Sequence, residues 1–250
     1  MAQRVVDGVV LVTGASSGIG AGIAARLHAR GARVIISGRG PGTAGVGGGS
    51  ASRDVCGRDE RRRPGVRHTR AGGRAVGTPH LTTLVNNAGI QRLLDFTAAE
   101  PPGPADIHSE IATNFAGLIN VTAAALPLLR RAPRSRVVHV GSGLGFVPYA
   151  KAPVYSATKA AVHSFTVSLR RQLAGSTVQV VEIIPGRRHA TAPRHAISAP
   201  KAMPLERFLD RAMRGLDAGK DEIPIGLGRV SQIGERVAPK RLFSLINRGD

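Results

Sequence analysis

A tyrosine and a lysine four residues apart, Tyr155 and Lys159, are the pair in this sequence best suited to proton chemistry. On an α-helix this spacing places both side chains on one face, one turn apart. An ammonium group beside a phenol favours the phenolate, so it lowers a phenol pKa that is ordinarily about 10. A tyrosine tuned in this way can give or accept a proton near neutral pH. The same spacing also occurs on solvated helix faces, so the surrounding sequence must show whether this pair belongs to a functional site.

The composition indicates a globular chain with an aliphatic core. The chain has 250 residues, of which 42% are hydrophobic and only 3% aromatic, and this suits one domain over residues 1–250. The single cysteine, Cys56, excludes an intramolecular disulfide and favours a reducing compartment. The N-terminal segment lacks the layout of a signal peptide, and no apolar run approaches the ~20 residues of a membrane span. We therefore expect a cytoplasmic protein with no membrane partner.

A strong positive charge distinguishes the sequence from most globular proteins. The formal net charge is +19, from 35 Lys and Arg against 16 Asp and Glu. Such a charge can indicate nucleic-acid binding, but the arginines are scattered and no basic patch with interleaved aromatic residues is present. We therefore expect no specific nucleic-acid partner. The arginine excess is typical of a GC-biased coding sequence, and a basic interaction protein is the remaining alternative.

A glycine-rich turn between a strand and a helix predicts a dinucleotide site near the N-terminus. Residues 5–12 (VVDGVVLV) have the pattern of a buried strand, TGASSGIG follows at 13–20, and a helix of 3.6-residue periodicity ends at Gly31. Gly14, Gly18 and Gly20 would let the backbone approach a pyrophosphate closely, with helix N-terminal amides as donors. No lysine follows the last glycine, so the turn is not a Walker phosphate loop.

The end of the second predicted strand bears on which dinucleotide binds. RVIISGR at 33–39 is that strand, and its tip carries Arg39 and no acidic residue. An acid here would accept a hydrogen bond from the ribose 2′-hydroxyl of NAD, whereas an arginine can pair with a 2′-phosphate. The tip therefore favours NADP, with NAD possible. Alternatively, Arg39 is an ordinary loop residue in an arginine-rich chain.

Residues 40–80 do not continue the pattern. They hold 11 glycines and 8 arginines and no Leu, Ile, Phe or Met. This composition predicts an irregular segment where a third strand and its flanking helices are expected. The segment is long enough for those elements, but its residue composition does not suit them. A frameshift in the gene that is compensated near residue 80 would produce this combination.

The second half alternates strands and helices again. Strands are predicted at 81–89, 136–142 and 177–186, and helices at 105–130 and 154–174. Asn114 lies inside the first helix, and Ser142 ends the middle strand, where ligands of parallel sheets bind. The alternation predicts an α/β fold with one doubly wound parallel sheet and helices on both faces. An amphipathic helix at 205–219, a short strand in DEIPIG and a short helix at 241–247 complete the chain.

Six features in order resemble the short-chain dehydrogenase/reductase family. They are TGASSGIG (13–20), NNAG (86–89), Asn114, Ser142, YSATK (155–159) and Pro185-Gly186, with thirteen residues from Ser142 to Tyr155. The resemblance covers 5–39 and 81–186 and is absent from 40–80. The sequences KAMPLERF and DEIPIG resemble the tail of the DltE-like bacterial oxidoreductase branch.

The resemblance implies an NAD(P)-dependent oxidoreductase that moves a hydride between a nicotinamide cofactor and a small carbonyl or alcohol substrate. It implies that Tyr155 is the general acid/base, that Lys159 holds the ribose hydroxyls and lowers the Tyr155 pKa, that Ser142 binds the substrate oxygen, and that Asn114 holds a relay water. The cofactor-binding positions implied are Gly14, Ser16, Ser17, Gly18, Ile19, Gly20, Arg39, Asn86, Ala88, Gly89, Tyr155, Lys159, Pro185 and Gly186.

Other expectations concern assembly and integrity. No histidines have metal-ligand spacing, so no metal is expected. Residues 187–200 would form the substrate lid, yet they lack apolar periodicity and are predicted to be irregular. The family implies a homodimer or homotetramer formed through the helices of Asn114 and Tyr155. The alternative function is a nucleotide-binding or structural relic whose catalysis is impaired by the anomalous segment.

Overall fold

A seven-stranded sheet organises the computed structural model, which describes residues 8–38, 52–54, 80–186 and 203–248. The sheet order is β3-β2-β1-β4-β5-β6-β7, and every neighbouring pair is parallel except β2 and β3. The strands are β1 Val9–Thr13, β2 Arg33–Ser37, β3 Ser52–Asp54, β4 Leu81–Asn86, β5 Ser135–Val140, β6 Val178–Pro185 and β7 Glu222–Ile225.

Helices connect and cover these strands, which confirms the predicted α/β fold. They are α1 Gly18–Ala29, α2 Pro104–Ile111, α3 Gly117–Leu129, α4 Pro153–Gln172, α5 Leu205–Asp217, α6 Leu227–Val237 and α7 Pro239–Ile246. A π-helical turn, Ala112–Ala116, joins α2 to α3, and a short 3-10 turn, Gly143–Gly145, follows β5.

Apolar side chains fill both faces of the sheet. On one face, α1 and α5 contribute Ile23, Leu27, Phe208 and Met213 to a buried cluster with the central strands. On the other face, a second cluster joins side chains of α3 and α4 to β4, β5 and β6. Because the strands are buried on both faces, their sequences are continuous apolar runs rather than alternating ones.

The anomalous segment contains one regular element among its described residues. Ser52–Asp54 pairs antiparallel with β2, with Ile35 opposite Asp54, so these three residues depart from the predicted irregularity and from the predicted parallel pairing. The other residues of 40–79 lie outside the described residues. The predicted lid at 187–200 and the start of the first predicted strand, at 5–7, also lie outside them.

The helical segment Pro104–Leu129 agrees with the helix predicted at 105–130. By length and composition it could cross a membrane, and 22% of its most apolar stretch is buried. Leu118 and Leu129 pack inward, whereas Ile111 and Leu128 are exposed. The expectation concerned uninterrupted apolar runs, and Asn114 and Asn120 interrupt this one, so the absence of a membrane partner stays a prediction.

Helix α6 is not apparent from the sequence. Its residues LGRVSQIGERV include two glycines and two valines, which are weak helix formers. It begins after Gly226, whose φ of 61° is a conformation that glycine adopts readily. A side chain on Gly228 would overlap the carbonyl oxygen of Ile184, so the helix rests directly on the end of β6. Tertiary packing, rather than local preference, accounts for this element.

Candidate active site

The carboxyl ends of four adjacent strands meet at one edge of the sheet. The order β1-β4-β5-β6 brings together the glycine-rich turn (residues 13–20), the segment 87–89, Ser142 and the Pro185-Gly186 pair. Ligands of open α/β sheets bind in the crevice outside these strand ends. The predicted site residues that the structure describes therefore lie along a single cleft.

Close packing explains the glycines of the turn. Gly14 has a φ of 65°, and a Cβ added to it would lie 2.6 Å from Cα of Ala88. A Cβ on Gly20 would overlap the side-chain amide of Asn87. Ser17 precedes α1 in an extended conformation and makes no side-chain hydrogen bond to it. The first amides of α1 therefore have no cap from Ser17, which is the arrangement that suits an anion at a helix N-terminus.

Thr13 and Asn87, which the sequence analysis did not select, hold the turn against β4. The Asn87 side-chain amide donates to the carbonyl oxygens of Thr13 (3.2 Å) and Gly14 (2.9 Å). The backbone amides of Asn87 and Ala88 in turn donate to Oγ1 of Thr13, at 3.1 and 3.2 Å. A polar residue that ends β1 and another directly after the adjacent strand β4 are the sequence signal that could have identified this pair.

Asn86 faces the core rather than the cleft. Its amide nitrogen donates to Oγ1 of Thr122 at 2.8 Å, and the side chain is 3% exposed. Thr122 also contacts Nε2 of His139, whose Nδ1 lies 2.8 Å from Oγ1 of Thr166. Burial lowers the His139 pKa to about 3, which keeps the imidazole neutral. Any contact of Asn86 with a cofactor would therefore involve its backbone.

The π-helical turn presents Asn114 to the cleft. Its amide nitrogen donates to the Ile90 carbonyl at 2.8 Å and to Oγ1 of Thr158 at 3.1 Å, and its oxygen accepts from the Ile90 amide at 2.8 Å. π-Turns inside α-helices are frequent at functional sites, and this one explains why asparagine occurs in the middle of a helix. One turn earlier, the buried Glu110 accepts from the Arg92 amide at 3.1 Å.

Ser142, Tyr155 and Lys159 meet beside Asn114. Ser142 follows β5, accepts a hydrogen bond from the Leu144 amide at 3.1 Å and is hydrogen-bonded to Tyr155. Lys159 is 5% exposed; its Nζ donates to the Val140 carbonyl at 2.8 Å and lies 5.6 Å from the Tyr155 ring centroid. A Cβ added to Gly89 would lie 3.4 Å from Oδ1 of Asn114 and 3.8 Å from Nζ of Lys159. All four predicted catalytic residues therefore share one site.

The pKa values differ from the sequence-based expectation for tyrosine. Burial raises the Tyr155 pKa to about 12, and the hydrogen bond with Ser142 offsets only part of this effect. Burial lowers the Lys159 pKa to about 8, against an opposing effect of Glu182. The expected lowering of the Tyr155 pKa is therefore wrong for the chain alone, because loss of water outweighs the hydrogen bond with Ser142. The protonated phenol is the stable form of Tyr155 at neutral pH.

Both outer ends of the cleft are only partly described. At one end, the Ala15 amide donates to the Ser37 carbonyl at 3.1 Å, and a Cβ on Gly38 would lie 3.2 Å from the Ser16 side chain. Arg39 lies outside the described residues. At the other end, the Gly186 amide donates to the Ile225 carbonyl at 3.1 Å. Residues 187–202 lie outside the described residues. Across the described ranges, no three His, Cys, Asp or Glu side chains are grouped to hold a metal ion.

Comparison with known proteins identifies the family. The family described as short chain dehydrogenase matches residues 8–201. The "Uncharacterized oxidoreductase DltE" of Bacillus subtilis is 33% identical over an alignment of 263 positions, covering 98% of each chain. The "NADP-dependent 3-hydroxy acid dehydrogenase YdfG" of Salmonella typhi is 36% identical over 185 residues, covering 71% of each chain.

Solved structures support the fold. The short chain dehydrogenase from Burkholderia cenocepacia in complex with NADP has a TM-score of 0.73 at 23% identity, covering 98% of this chain and 99% of that one. The closed form of serine dehydrogenase with NADP+ has a TM-score of 0.52 at 31% identity, covering 71% of each. The protein therefore belongs to the short-chain dehydrogenase/reductase family and is an oxidoreductase, with a relative in the DltE-like branch.

Proposed function

We propose that this protein is an NADP-preferring oxidoreductase that reduces a small carbonyl compound to an alcohol, or catalyses the reverse reaction, with Tyr155 as the acid/base. The observation that carries this proposal is the meeting of Asn114, Ser142, Tyr155 and Lys159 at strand ends that also hold the glycine-rich turn.

The described residues fit a dinucleotide cofactor. The turn at 13–20 approaches the 87–88 segment so closely that side chains on Gly14 and Gly20 would collide with it, and α1 has no side-chain cap from Ser17. The backbone amides at the start of α1 would hold a pyrophosphate, and Lys159 would hold the nicotinamide ribose. Arg39, which lies outside the described residues, would pair with a 2′-phosphate. When bound, the nicotinamide supplies or accepts the hydride.

The tyrosine end supplies the proton. In reduction, the Tyr155 hydroxyl donates its proton to the substrate oxygen, and the Ser142 hydroxyl stabilises the charge that develops there. Lys159 stabilises the resulting phenolate, and Asn114 holds a water through which the proton is restored. The raised Tyr155 pKa of about 12 favours the protonated phenol, which is the form that carbonyl reduction requires.

Activity against a substrate panel tests this proposal. Purified protein would be assayed with NADPH and NADH against aldehydes and ketones, and with NADP against 3-hydroxy acids, because relatives are named for that substrate class. We expect turnover with at least one compound. Cofactor binding without turnover on any compound would instead support the impaired relic.

Calorimetry tests the cofactor preference. We expect wild-type protein to bind NADP at least tenfold more tightly than NAD, and Arg39→Ala to remove most of that difference, since one charged hydrogen-bonded pair contributes about 1.5–3 kcal/mol. Arg130→Ala is the matched control, because Arg130 is exposed and lies between the end of α3 and the start of β5, away from the carboxyl ends of the strands. Equal affinities in wild-type protein would remove the role given to Arg39.

Assembly, location and domain organisation complete the proposal. We propose a homodimer or homotetramer that is cytoplasmic, with one domain per chain and no specific nucleic-acid or membrane partner. Exposed apolar side chains on the two helices expected at the subunit contact, Leu128 on α3 and Val167 on α4, support the assembly. A monomeric mass by light scattering at micromolar concentration would contradict it.

A further inference from the structure

A histidine paired with a buried carboxyl group lies one helical turn beyond the catalytic lysine. Nδ1 of His163, on α4, is 2.7 Å from Oε2 of Glu182, on β6, and Glu182 is fully buried. His163 follows Lys159 by four residues and Tyr155 by eight, so all three side chains project from the same side of α4. The proton-transfer residues and this pair therefore form one row along a single helix.

The second oxygen of Glu182 has no partner of its own. Oε1 is buried and makes no hydrogen bond to any described residue. A Cβ added to Gly141 would overlap this oxygen, so the carboxyl group lies against the Gly141 backbone. Gly141 connects Val140, whose carbonyl accepts the Lys159 ammonium, to Ser142. The unpartnered oxygen thus lies under the backbone that anchors two catalytic side chains.

The local balance of charge connects Glu182 to Lys159. A buried charge is costly unless an opposite charge compensates it, and Lys159 has a neutral carbonyl as its hydrogen-bond acceptor. Glu182 raises the Lys159 pKa against the lowering caused by burial, and it raises the His163 pKa as well. One carboxylate therefore favours the charged forms of both Lys159 and His163, on successive turns of α4.

Among the other charged groups nearby, Arg170 and Glu222 pair with each other. Arg170 of α4 lies 3.5 Å from Glu222 of β7 and donates to the Val180 carbonyl at 3.0 Å. Phe146 packs on the His163 ring with centroids 4.5 Å apart, and beyond it Glu235 and Lys240 line a cavity of about 330 Å³. The titratable groups around the pair are Lys159, His139, Arg170, Glu222, Glu235 and Lys240.

We propose that Glu182, fixed by His163, is a positioning residue for Lys159, which it keeps protonated and directed toward Tyr155 and the ribose site. This inference rests on the proposed function for its catalytic meaning, although the charge coupling itself can be measured without cofactor. Glu182 acts through Lys159 and does not itself contact the reacting atoms.

Lysine-selective NMR gives a direct test. The sequence has five lysines, at 151, 159, 201, 220 and 240, so protein labelled with ¹³C at Lys Cε gives few signals, and Lys159→Met identifies the one from Lys159. We expect its midpoint near pH 8 in wild-type protein. Glu182→Gln should move the midpoint lower by about 1 pH unit, whereas Glu182→Asp, which keeps the charge, should move it by less than half as much.

Glu222→Gln is the matched control, because Glu222 is the register partner of Glu182 on β7 and its loss removes the same charge. An unchanged Lys159 midpoint in folded Glu182→Gln, or an equal shift in Glu222→Gln, would overturn the inference. If Glu182→Gln does not fold, Glu182→Met, which also removes the charge, carries the test, and a Lys159 midpoint identical to that of wild type in this variant would likewise overturn the inference.

Kinetics then connect the coupling to catalysis. In Glu182→Gln, the high-pH limb of kcat/KM should shift in the same direction as the Lys159 midpoint, while Glu222→Gln keeps the wild-type profile. If the high-pH midpoint of kcat/KM is the same in Glu182→Gln as in wild-type protein, the positioning role is contradicted. Because the NMR titration uses protein without cofactor or substrate, a protein with no dehydrogenase activity would refute the proposed function and leave the Lys159–Glu182 measurement interpretable.

Discussion

At the tyrosine end of the cleft (Asn114, Ser142, Tyr155 and Lys159), polar side chains are fixed by hydrogen bonds to their neighbours. At the glycine-rich end, close packing is the determining feature. Gly14 and Gly20 are required because neighbouring backbone and the Asn87 amide occupy the volume that a side chain would need. The first end is suited to chemistry and the second to binding. Substitutions at the two ends should therefore change different kinetic constants.

The largest difference should come from Tyr155→Phe. Removing the hydroxyl removes the proton donor, so we expect kcat to fall by about 10³-fold, while the dissociation constant for the cofactor changes by less than about threefold. Ser164→Ala, an exposed position on the same helix, is the control and should keep wild-type activity. Retention of activity in Tyr155→Phe would mean that the tyrosine end is not the chemical end.

The pH dependence of stability should isolate Lys159. Its pKa is lowered from 10.5 to about 8, so between these values the unfolded chain binds the proton more tightly. The free energy of unfolding should therefore rise with pH from about 8 to about 10.5, by about 3 kcal/mol from this group. Urea denaturation at pH 8 and pH 10 should show this rise in wild-type protein.

Comparison with two lysine variants isolates that contribution. Lys159→Met should lose the rise, and Lys151→Met, which removes an exposed lysine, should keep it. Identical pH dependence in wild-type protein and Lys159→Met would mean that the lysine is not buried in solution as it is here.

At the glycine-rich end, Gly20→Ala should weaken binding and stability together. The new methyl group would overlap the Asn87 amide and lie 2.6 Å from the Gly14 carbonyl oxygen, so we expect a loss of about 1–3 kcal/mol in unfolding free energy and a KM for cofactor raised at least tenfold. Gly103→Ala is the control, since nothing lies within 4 Å of its added Cβ. A large fall in kcat with unchanged KM would contradict the division between the ends.

The smallest effect should come from Asn87→Ala. It removes two hydrogen bonds that hold the glycine-rich turn, and we expect a loss of about 1–2 kcal/mol in unfolding free energy with a severalfold rise in cofactor KM. Exposed Asn120→Ala should match wild type in thermal melting. If kcat rather than KM responds to Asn87→Ala, the turn contributes to chemistry as well as to binding.

The sequence predicts the fold correctly where the local pattern of residues and the tertiary structure agree. Strands such as Val9–Thr13 and Val178–Pro185 are buried on both faces, so their apolar runs are visible without a structure. The four predicted catalytic residues could be selected because two are one helical turn apart and the others match positions of the family motifs. The clustering of all four then follows from the parallel strand order.

Features set by long-range contacts could not be found in the same way. Helix α6 depends on the close approach of Gly228 to β6, and the bond from Asn87 to the glycine-rich turn joins residues more than 70 positions apart. The Tyr155 pKa was predicted in the wrong direction because the helical spacing shows the lysine but not the loss of water. Burial is a property of the whole fold, which no local pattern of residues reports.

The π-helical turn at Ala112–Ala116 has a consequence for how this helix can change in evolution. A π-turn closes i→i+5 hydrogen bonds, so it holds one residue more than an α-helical turn and absorbs that residue by local widening. Here that extra residue lets Asn114 face the cleft while Thr122, further along, meets Asn86 and His139 in the core. Deleting one residue between 112 and 116 would restore a regular α-helical turn and remove the position that the wide turn gives to Asn114. We therefore expect the fold to tolerate such a deletion, while the contacts of Asn114 with Ile90 and Thr158 are lost.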